Sequence, residues 1–144
     1  IPPGMHKNGS FSGDSFKQWI EKTIKLCEEF GYLEVALLHI GEVLIHCPPD
    51  SNGLWINRKV AEALNNKDAE KLRDGFYLGV INSRGVHVVD PTGKPERDLA
   101  LKYRKQADEI ENAGYYRFAD TVRRIAESYD REAEFIISEH ISQF

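Results

Sequence analysis

The sequence lacks any apolar run of the roughly 18 residues that a membrane-spanning helix requires, so no transmembrane segment is predicted. It also lacks an excess of basic residues. Its 19 lysines and arginines are outnumbered by 23 aspartates and glutamates, which gives a net charge of −4. Because nucleic-acid-binding domains usually carry an excess of basic residues, we expect no nucleic acid as a partner. With no apolar run of sufficient length, we expect no membrane as a partner either.

Cysteine and methionine are both scarce. Cys27 and Cys47 are too few for a disulfide framework, and both lie in apolar helical patterns. We therefore expect buried, reduced thiols in a cytoplasmic protein. The chain starts at Ile1 and has its only methionine at position 5. Either residues were added upstream or the chain is a domain excised from a longer polypeptide, and we expect the latter.

What is present is typical of one globular domain. The chain has 144 residues, of which 41% are hydrophobic and 29% are charged. Residues 1–13 are rich in proline and glycine and predict an irregular N-terminal segment. The remainder carries apolar residues at steps of three and four, which indicates helices. The sequence therefore predicts a single all-α domain over residues 1–144, with about six helices in a compact irregular bundle.

The first two predicted helices differ in their apolar patterns. Residues 15–30 form an amphipathic pattern with Asp14 as the N-cap and Gly31 as the end. Residues 32–46 are apolar nearly all round and stop at two prolines. We predict that this second helix is the central buried element.

The middle of the chain predicts two further helices. Asn57 is the expected cap of a short one, and Asp68 is the expected cap of the next. Gly75 and Gly79 lie four residues apart in the latter helix. Because glycine costs roughly 1 kcal/mol relative to alanine inside a helix, these glycines predict that a neighbouring group approaches the helix backbone closely.

The last third predicts two long helices. Pro95 suits a first helical turn, and the apolar stripe from Leu99 ends near Gly114. A second stripe runs from Phe118 to Ile136. Two such helices joined by a short connection predict a long antiparallel hairpin at the end of the domain.

The loop "NSRGVH", residues 82–87, is the candidate site. Gly85 can supply the left-handed residue after a helix, and "DPTG" at 90–93 is a turn sequence. These features leave Arg84 and His87 unexplained. Either the two side chains hold a small ligand or anion near the following helix start, or Arg84 pairs with an acid and His87 lies in the core.

The two interpretations of this loop predict different mutational effects. In a structural loop, Gly85→Ala costs roughly 1 kcal/mol or more, because the new Cβ enters a left-handed conformation. Arg84→Ala then stays within about 0.5 kcal/mol, as exposed substitutions do. In a functional loop, Arg84→Ala leaves stability unchanged and removes a binding property.

No metal, cofactor or catalytic site is predicted. His39 and His46 are seven residues apart, about 10 Å along a helix, which is too far to share one zinc ion. With Cys47, we interpret them as core histidines and a buried thiol. The sequence contains no CxxC, HExxH, GxSxG, P-loop or GxGxxG motif. The mixed charges around Arg104 and Arg123 predict a solvated helix face.

Several stretches carry a resemblance: "PPGMHKNGSFSGDSFKQWI", "HIGEVLIHCPPDSNGLW", "GFYLGVINSRGVH", "ERDLALKYRKQA" and "RRIAESYDREAE". Together they cover nearly the whole chain, which resembles a region near the C-terminus of large, poorly characterised bacterial multidomain proteins. The resemblance implies a module attached to a larger protein, and it implies no activity.

The absence of catalytic motifs favours a non-catalytic interaction or scaffold module. Its expected partners are other domains of its parent protein or a separate protein. The alternative is a small-ligand or anion-binding domain that uses Arg84 and His87. An enzyme of unrecognised type is the third possibility.

Overall fold

The computed structural model describes residues 2–141; Ile1 and residues 142–144 of the predicted 1–144 domain lie outside the described residues. The described chain is all-α, as predicted, and its one β-type contact is an isolated bridge between Met5 and Phe11. The helices are α1 (Gly13–Phe30), α2 (Leu33–Leu44), α3 (Arg58–Asn65), α4 (Glu70–Ser83), α5 (Lys94–Asn112) and α6 (Tyr116–Ile141). None of these helices combines the length and apolar character that a bilayer crossing requires.

Two predicted N-caps are wrong and one is confirmed. Helix α1 is capped by Ser12, whose Oγ accepts a 3.1 Å hydrogen bond from the Ser15 amide, so Asp14 lies inside the first turn. Asn57 caps α3, as predicted, by accepting from the Lys59 amide. Helix α4 begins after Ala69 without a side-chain cap, so Asp68 does not cap it.

The close approach predicted at Gly75 and Gly79 is confirmed, and the neighbour is the backbone of α2. A Cβ atom built on Gly75 would fall on the carbonyl oxygen of Leu38, well inside van der Waals contact. A Cβ on Gly41 would collide in the same way with the carbonyl of Leu72. Glycine is required at these positions because the opposing backbones fill the space that a side chain would take.

The predicted central role of α2 is wrong. Only Leu37, Gly41 and Leu44 of this helix are buried, and Val35 is largely exposed. Helix α2 packs mainly against α4, with a smaller contact to α1. Its other apolar side chains are half-buried, apart from Val35 and Val43, which are exposed. The helix that contributes the largest number of buried residues is α6, with Phe118, Ala119, Thr121, Val122, Ile125, Ala126, Tyr129, Ala133 and Ile136.

Helices α5 and α6 pack along each other in opposite directions. Arg97 and Arg104 of α5 both pair with Asp130, far along α6. Asp108, nearer the end of α5, pairs with Arg123 near the start of α6 at 2.9 Å. The charged face predicted from the sequence is therefore present. Most of its pairs join the two helices rather than successive turns of one helix.

Candidate functional sites

The loop between α4 and α5 is held by its own backbone turns. Gly85 has φ +62°, which confirms the predicted left-handed residue. Asp90 Oδ1 accepts hydrogen bonds from the amide and the hydroxyl of Thr92 at 2.9 and 2.7 Å. Gly93, with φ +68°, then precedes α5, and its position lies against the Ala133 carbonyl of α6. This turn sets the first residues of α5 beside α6.

Arg84 reaches from this loop into the bundle. Its guanidinium Nη1 donates a 2.8 Å hydrogen bond to Oε1 of Glu96, in the first turn of α5. The same nitrogen lies 3.7 Å from Oε1 of Glu132 on α6. One of the two structural expectations is therefore met, since Arg84 pairs with acidic residues.

Glu96 is a buried carboxylate with one unsatisfied oxygen. It is fully buried, and its Oε2 has no hydrogen-bond partner among residues 2–141. A buried polar atom without a partner costs about 1–3 kcal/mol. The positive end of the α5 dipole and the Arg84 guanidinium lie beside this carboxyl group, but neither satisfies Oε2.

His87 lies beside the same carboxylate and is not in the core. Its side chain is 30% exposed, which corrects the expectation of a core histidine. The ring Nδ1 lies 3.1 Å from the carbonyl oxygen of Gly85, and Nε2 lies 3.8 Å from Glu96 Oε1. The structure therefore brings together the two candidate residues, Arg84 and His87, with Glu96 and Glu132. We name these four residues the loop cluster.

The charges of the loop cluster weigh against the anion-binding alternative. Two carboxylates, Glu96 and Glu132, surround the single guanidinium of Arg84. A free anion would have to displace a fully buried carboxylate or approach a second one. Such a cluster is better suited to a cation than to an anion.

Sequence reasoning missed Glu96 and Glu132, although a signal for both was present. Glu96, Ala100, Tyr103, Ala107 and Ile110 follow steps of four and three on α5, so Glu96 occupies the inward stripe. On α6, Glu132 comes three residues after the buried Tyr129. A carboxylate on an apolar stripe needs a buried partner, and Arg84 was a basic residue whose role the sequence pattern left unexplained.

The other histidine and cysteine candidates form no common site. The His39 side chain is 74% exposed and faces Glu42 at 3.9 Å, and His46 is also exposed, so the expectation of core histidines is wrong. Cys47 is half-buried, and burial raises the pKa of its thiol to about 12. The thiol is therefore protonated and a poor nucleophile near neutral pH.

A second candidate site is a groove of about 410 Å³ bounded by α1, α2, α3 and the start of α4. Its floor is aliphatic and is formed by Ile20, Ile24, Leu33, Leu37, Ala63, Ala69 and Leu72. Ile20, Leu37, Ala69 and Leu72 are buried, whereas Ile24 and Leu33 are half-buried and reachable from outside. The groove is thus an apolar surface that the described chain leaves uncovered.

The rim of this groove is acidic. Glu21, Glu28, Glu62 and Asp68 line it, with Lys17 as the one basic residue among its lining side chains. Glu62 forms an ion pair with Lys59 at 3.7 Å. Within residues 2–141, the carboxylates of Glu21, Glu28 and Asp68 form no ion pair. We call this apolar floor and its carboxylates the acidic groove.

No protein-family model, curated protein or solved structure matches this chain.

Proposed function

We propose that this chain is a non-catalytic helical interaction module whose acidic groove receives a basic amphipathic segment. The segment belongs to a partner protein or to another domain of the parent protein. The observation that carries the proposal is the combination of an uncovered aliphatic floor with the rim carboxylates of Glu21, Glu28 and Asp68, which have no ion-pair partner in the described chain.

The floor favours an apolar face rather than a polar small molecule. Its side chains offer no hydrogen-bond donor, so binding must come from removing apolar surface from water. A volume near 410 Å³ accommodates a few aliphatic side chains of a partner. Amphipathic helices bind grooves in this way, with apolar residues at steps of three, four and seven.

The rim selects the charge of the partner. Lysines or arginines that flank an apolar stripe would lie opposite Glu21, Glu28 and Asp68. Complementary charges at the edge of an interface mainly accelerate association and exclude partners of the wrong sign. Binding should therefore weaken as salt is raised, because salt screens these exposed charges.

A model peptide tests this proposal directly. We would measure the fluorescence anisotropy of a labelled 14-residue amphipathic helix of leucine and lysine, with a leucine and glutamate helix as its counterpart. We expect the lysine peptide to bind and the glutamate peptide to fail. Replacing both Glu21 and Glu28 by lysine should weaken binding by at least about tenfold, or 1.4 kcal/mol.

A matched control separates the groove from net charge. Glu127 and Glu134 are exposed on α6, lie seven residues apart like Glu21 and Glu28, and do not line the groove. Replacing both by lysine produces the same change in net charge and should leave the affinity for the lysine peptide nearly unchanged. Equal weakening by both double variants would show a general charge effect and contradict the proposal.

The apolar floor has its own test. Ile24 is half-buried at the groove, so Ile24→Asp should abolish peptide binding while circular dichroism shows an intact fold. Trp19 lies on the same helix but outside the groove lining, and Trp19→Asp should leave peptide binding intact. Peptide binding that survives Ile24→Asp would place the contact elsewhere.

A further inference from the structure

We propose that His87, Glu96 and Glu132 form a binding site for one divalent transition-metal cation of the zinc type. Each residue offers one ligand atom, and the three atoms lie within 4.8 Å of one another. They come from three separate segments: the loop after α4, the first turn of α5 and the second half of α6. This site is distinct from the acidic groove and does not depend on its function.

The hydrogen bond of His87 orients the ring so that Nε2 is the nitrogen available to a metal. A carbonyl oxygen can only accept, so the 3.1 Å contact with Gly85 assigns the proton to Nδ1. In the neutral ring, Nε2 then carries a free lone pair. Metal-binding histidines are commonly oriented in this way, with the second ring nitrogen donating to a backbone carbonyl.

The distance between His87 and Glu96 also suits a shared cation. His87 Nε2 and Glu96 Oε1 are 3.8 Å apart, too far for a hydrogen bond. Both atoms are electron-rich, so direct contact is unfavourable without a positive charge between them. Two ligands of a tetrahedral zinc ion are roughly 3.4 Å apart, given metal–ligand bonds near 2.1 Å. The Glu96 carboxylate and His87 Nε2 therefore face each other at close to the spacing of two metal ligands.

The unsatisfied oxygen of Glu96 is an independent indication of a ligand. Glu96 is fully buried, its Oε1 is held by Arg84, and its Oε2 has no partner among the described residues. Buried carboxylate oxygens normally have a hydrogen bond or a metal. A cation bound through Oε2 would satisfy this atom while the Arg84 hydrogen bond is retained.

The charge and the donor types define the class of cation. With neutral His87, the carboxylates of Glu96 and Glu132 outweigh the one guanidinium of Arg84, so the loop cluster carries an excess negative charge. One imidazole and two carboxylates suit zinc and neighbouring transition metals. Calcium and magnesium prefer oxygen ligands alone. Three protein ligands would leave one position of a tetrahedral ion for water.

A bound ion could enter from solvent. The Glu132 side chain is 41% exposed and the His87 side chain is 30% exposed, whereas Glu96 forms the buried end of the site. The two exposed ligands also make the test practical. Glutamine at either position keeps a polar side chain at the surface and should leave the fold intact.

The test is isothermal titration calorimetry of the full chain with zinc chloride, after dialysis against a chelator. We expect one zinc ion per chain, with binding weakened at least about tenfold in His87→Gln and in Glu132→Gln. The matched controls are His39→Gln and Glu42→Gln, which alter the exposed pair of His39 and Glu42 at 3.9 Å. Both controls should bind zinc like the unmodified chain.

Thermal unfolding supplies a second readout. Zinc that binds the folded state should raise the melting temperature of the unmodified chain and leave that of His87→Gln nearly unchanged. Circular dichroism would verify that each variant is folded. Absence of zinc binding, or binding that persists unchanged in both His87→Gln and Glu132→Gln, would overturn the metal site. Neither outcome affects the peptide measurements on the acidic groove, which are made with chelator present.

Discussion

Arg84 donates a 2.8 Å hydrogen bond to Glu96, so a loop residue neutralises a carboxylate that is fully buried at the start of α5. This relationship changes the expected effect of mutating Arg84. From the sequence, Arg84→Ala was expected to stay within about 0.5 kcal/mol if the loop is structural. In the structure, the same substitution leaves a buried charge without its partner.

We predict that Arg84→Ala lowers the free energy of unfolding by about 3–5 kcal/mol, because breaking a buried ion pair from one side is strongly destabilising. Urea denaturation at pH 7 measures this effect. Removing both charges, as Arg84→Met with Glu96→Leu, should recover most of the loss, since paired replacement by apolar residues is often neutral. If Arg84→Ala costs no more than about 0.5 kcal/mol, the pair does not stabilise the fold.

The packing of α2 on α4 supports a second prediction. In Gly75→Ala, the new methyl group overlaps the Leu38 carbonyl and forces the helices apart. Overpacking costs about 3 kcal/mol, and the better helix propensity of alanine returns about 1 kcal/mol, so we expect a net loss of about 2 kcal/mol. The measurement is the free energy of unfolding in urea.

A graded series checks the cause of this loss. Gly41→Ala should cost about as much as Gly75→Ala, because its Cβ also meets a backbone carbonyl. Gly79→Ala should cost less, since its Cβ would lie about 2.9 Å from the nearest atom, the Cα of Glu42. If the three variants had the same free energy of unfolding as one another, the clashes would not determine the loss, and α2 would be free to move away from α4.

Local pattern was enough to predict the helices and their glycines. The stripe of α6, the left-handed Gly85 and the close approach at Gly75 all follow from short-range spacing. The position of α2 does not follow from local pattern. Hydrophobicity indicates that a segment can be buried, but it does not indicate which neighbouring helices cover it. Its all-round apolar character predicted a central helix, yet α6 contributes more buried residues to the core.

The candidate site was predictable only in part for the same reason. Arg84 and His87 were identified from the loop sequence, but the distance to Glu132 depends on how α6 packs against the loop. The position of Glu96 in the first turn of α5 suits its charge, but it does not reveal that the side chain is buried. Burial gives this carboxylate its importance, and burial arises from tertiary contacts.

The last prediction concerns Asp130, which links α6 to two arginines of α5. Burial tends to raise the pKa of this carboxyl, but hydrogen bonds from Arg104 and Arg97 outweigh it and hold the pKa below the ordinary value. A group with a depressed pKa in the folded state stabilises the fold above its unfolded pKa, about 3.9 for aspartate. That contribution is lost as the pH falls through the folded-state pKa.

We therefore expect Asp130→Asn to reduce the free energy of unfolding at pH 7, by no more than about 1 kcal/mol because the pair is partly solvated. The difference from the unmodified chain should begin to shrink below about pH 4, where Asp130 of the unfolded chain takes up a proton, and should disappear below the lower folded-state pKa. Urea denaturation at pH 7, 4 and 3 measures both effects. Glu134→Gln, which changes an exposed carboxylate on the same helix, should show little difference at any of these pH values. A difference for Asp130→Asn that stays constant from pH 7 to 3 would mean that the arginine pairs do not stabilise the charged form.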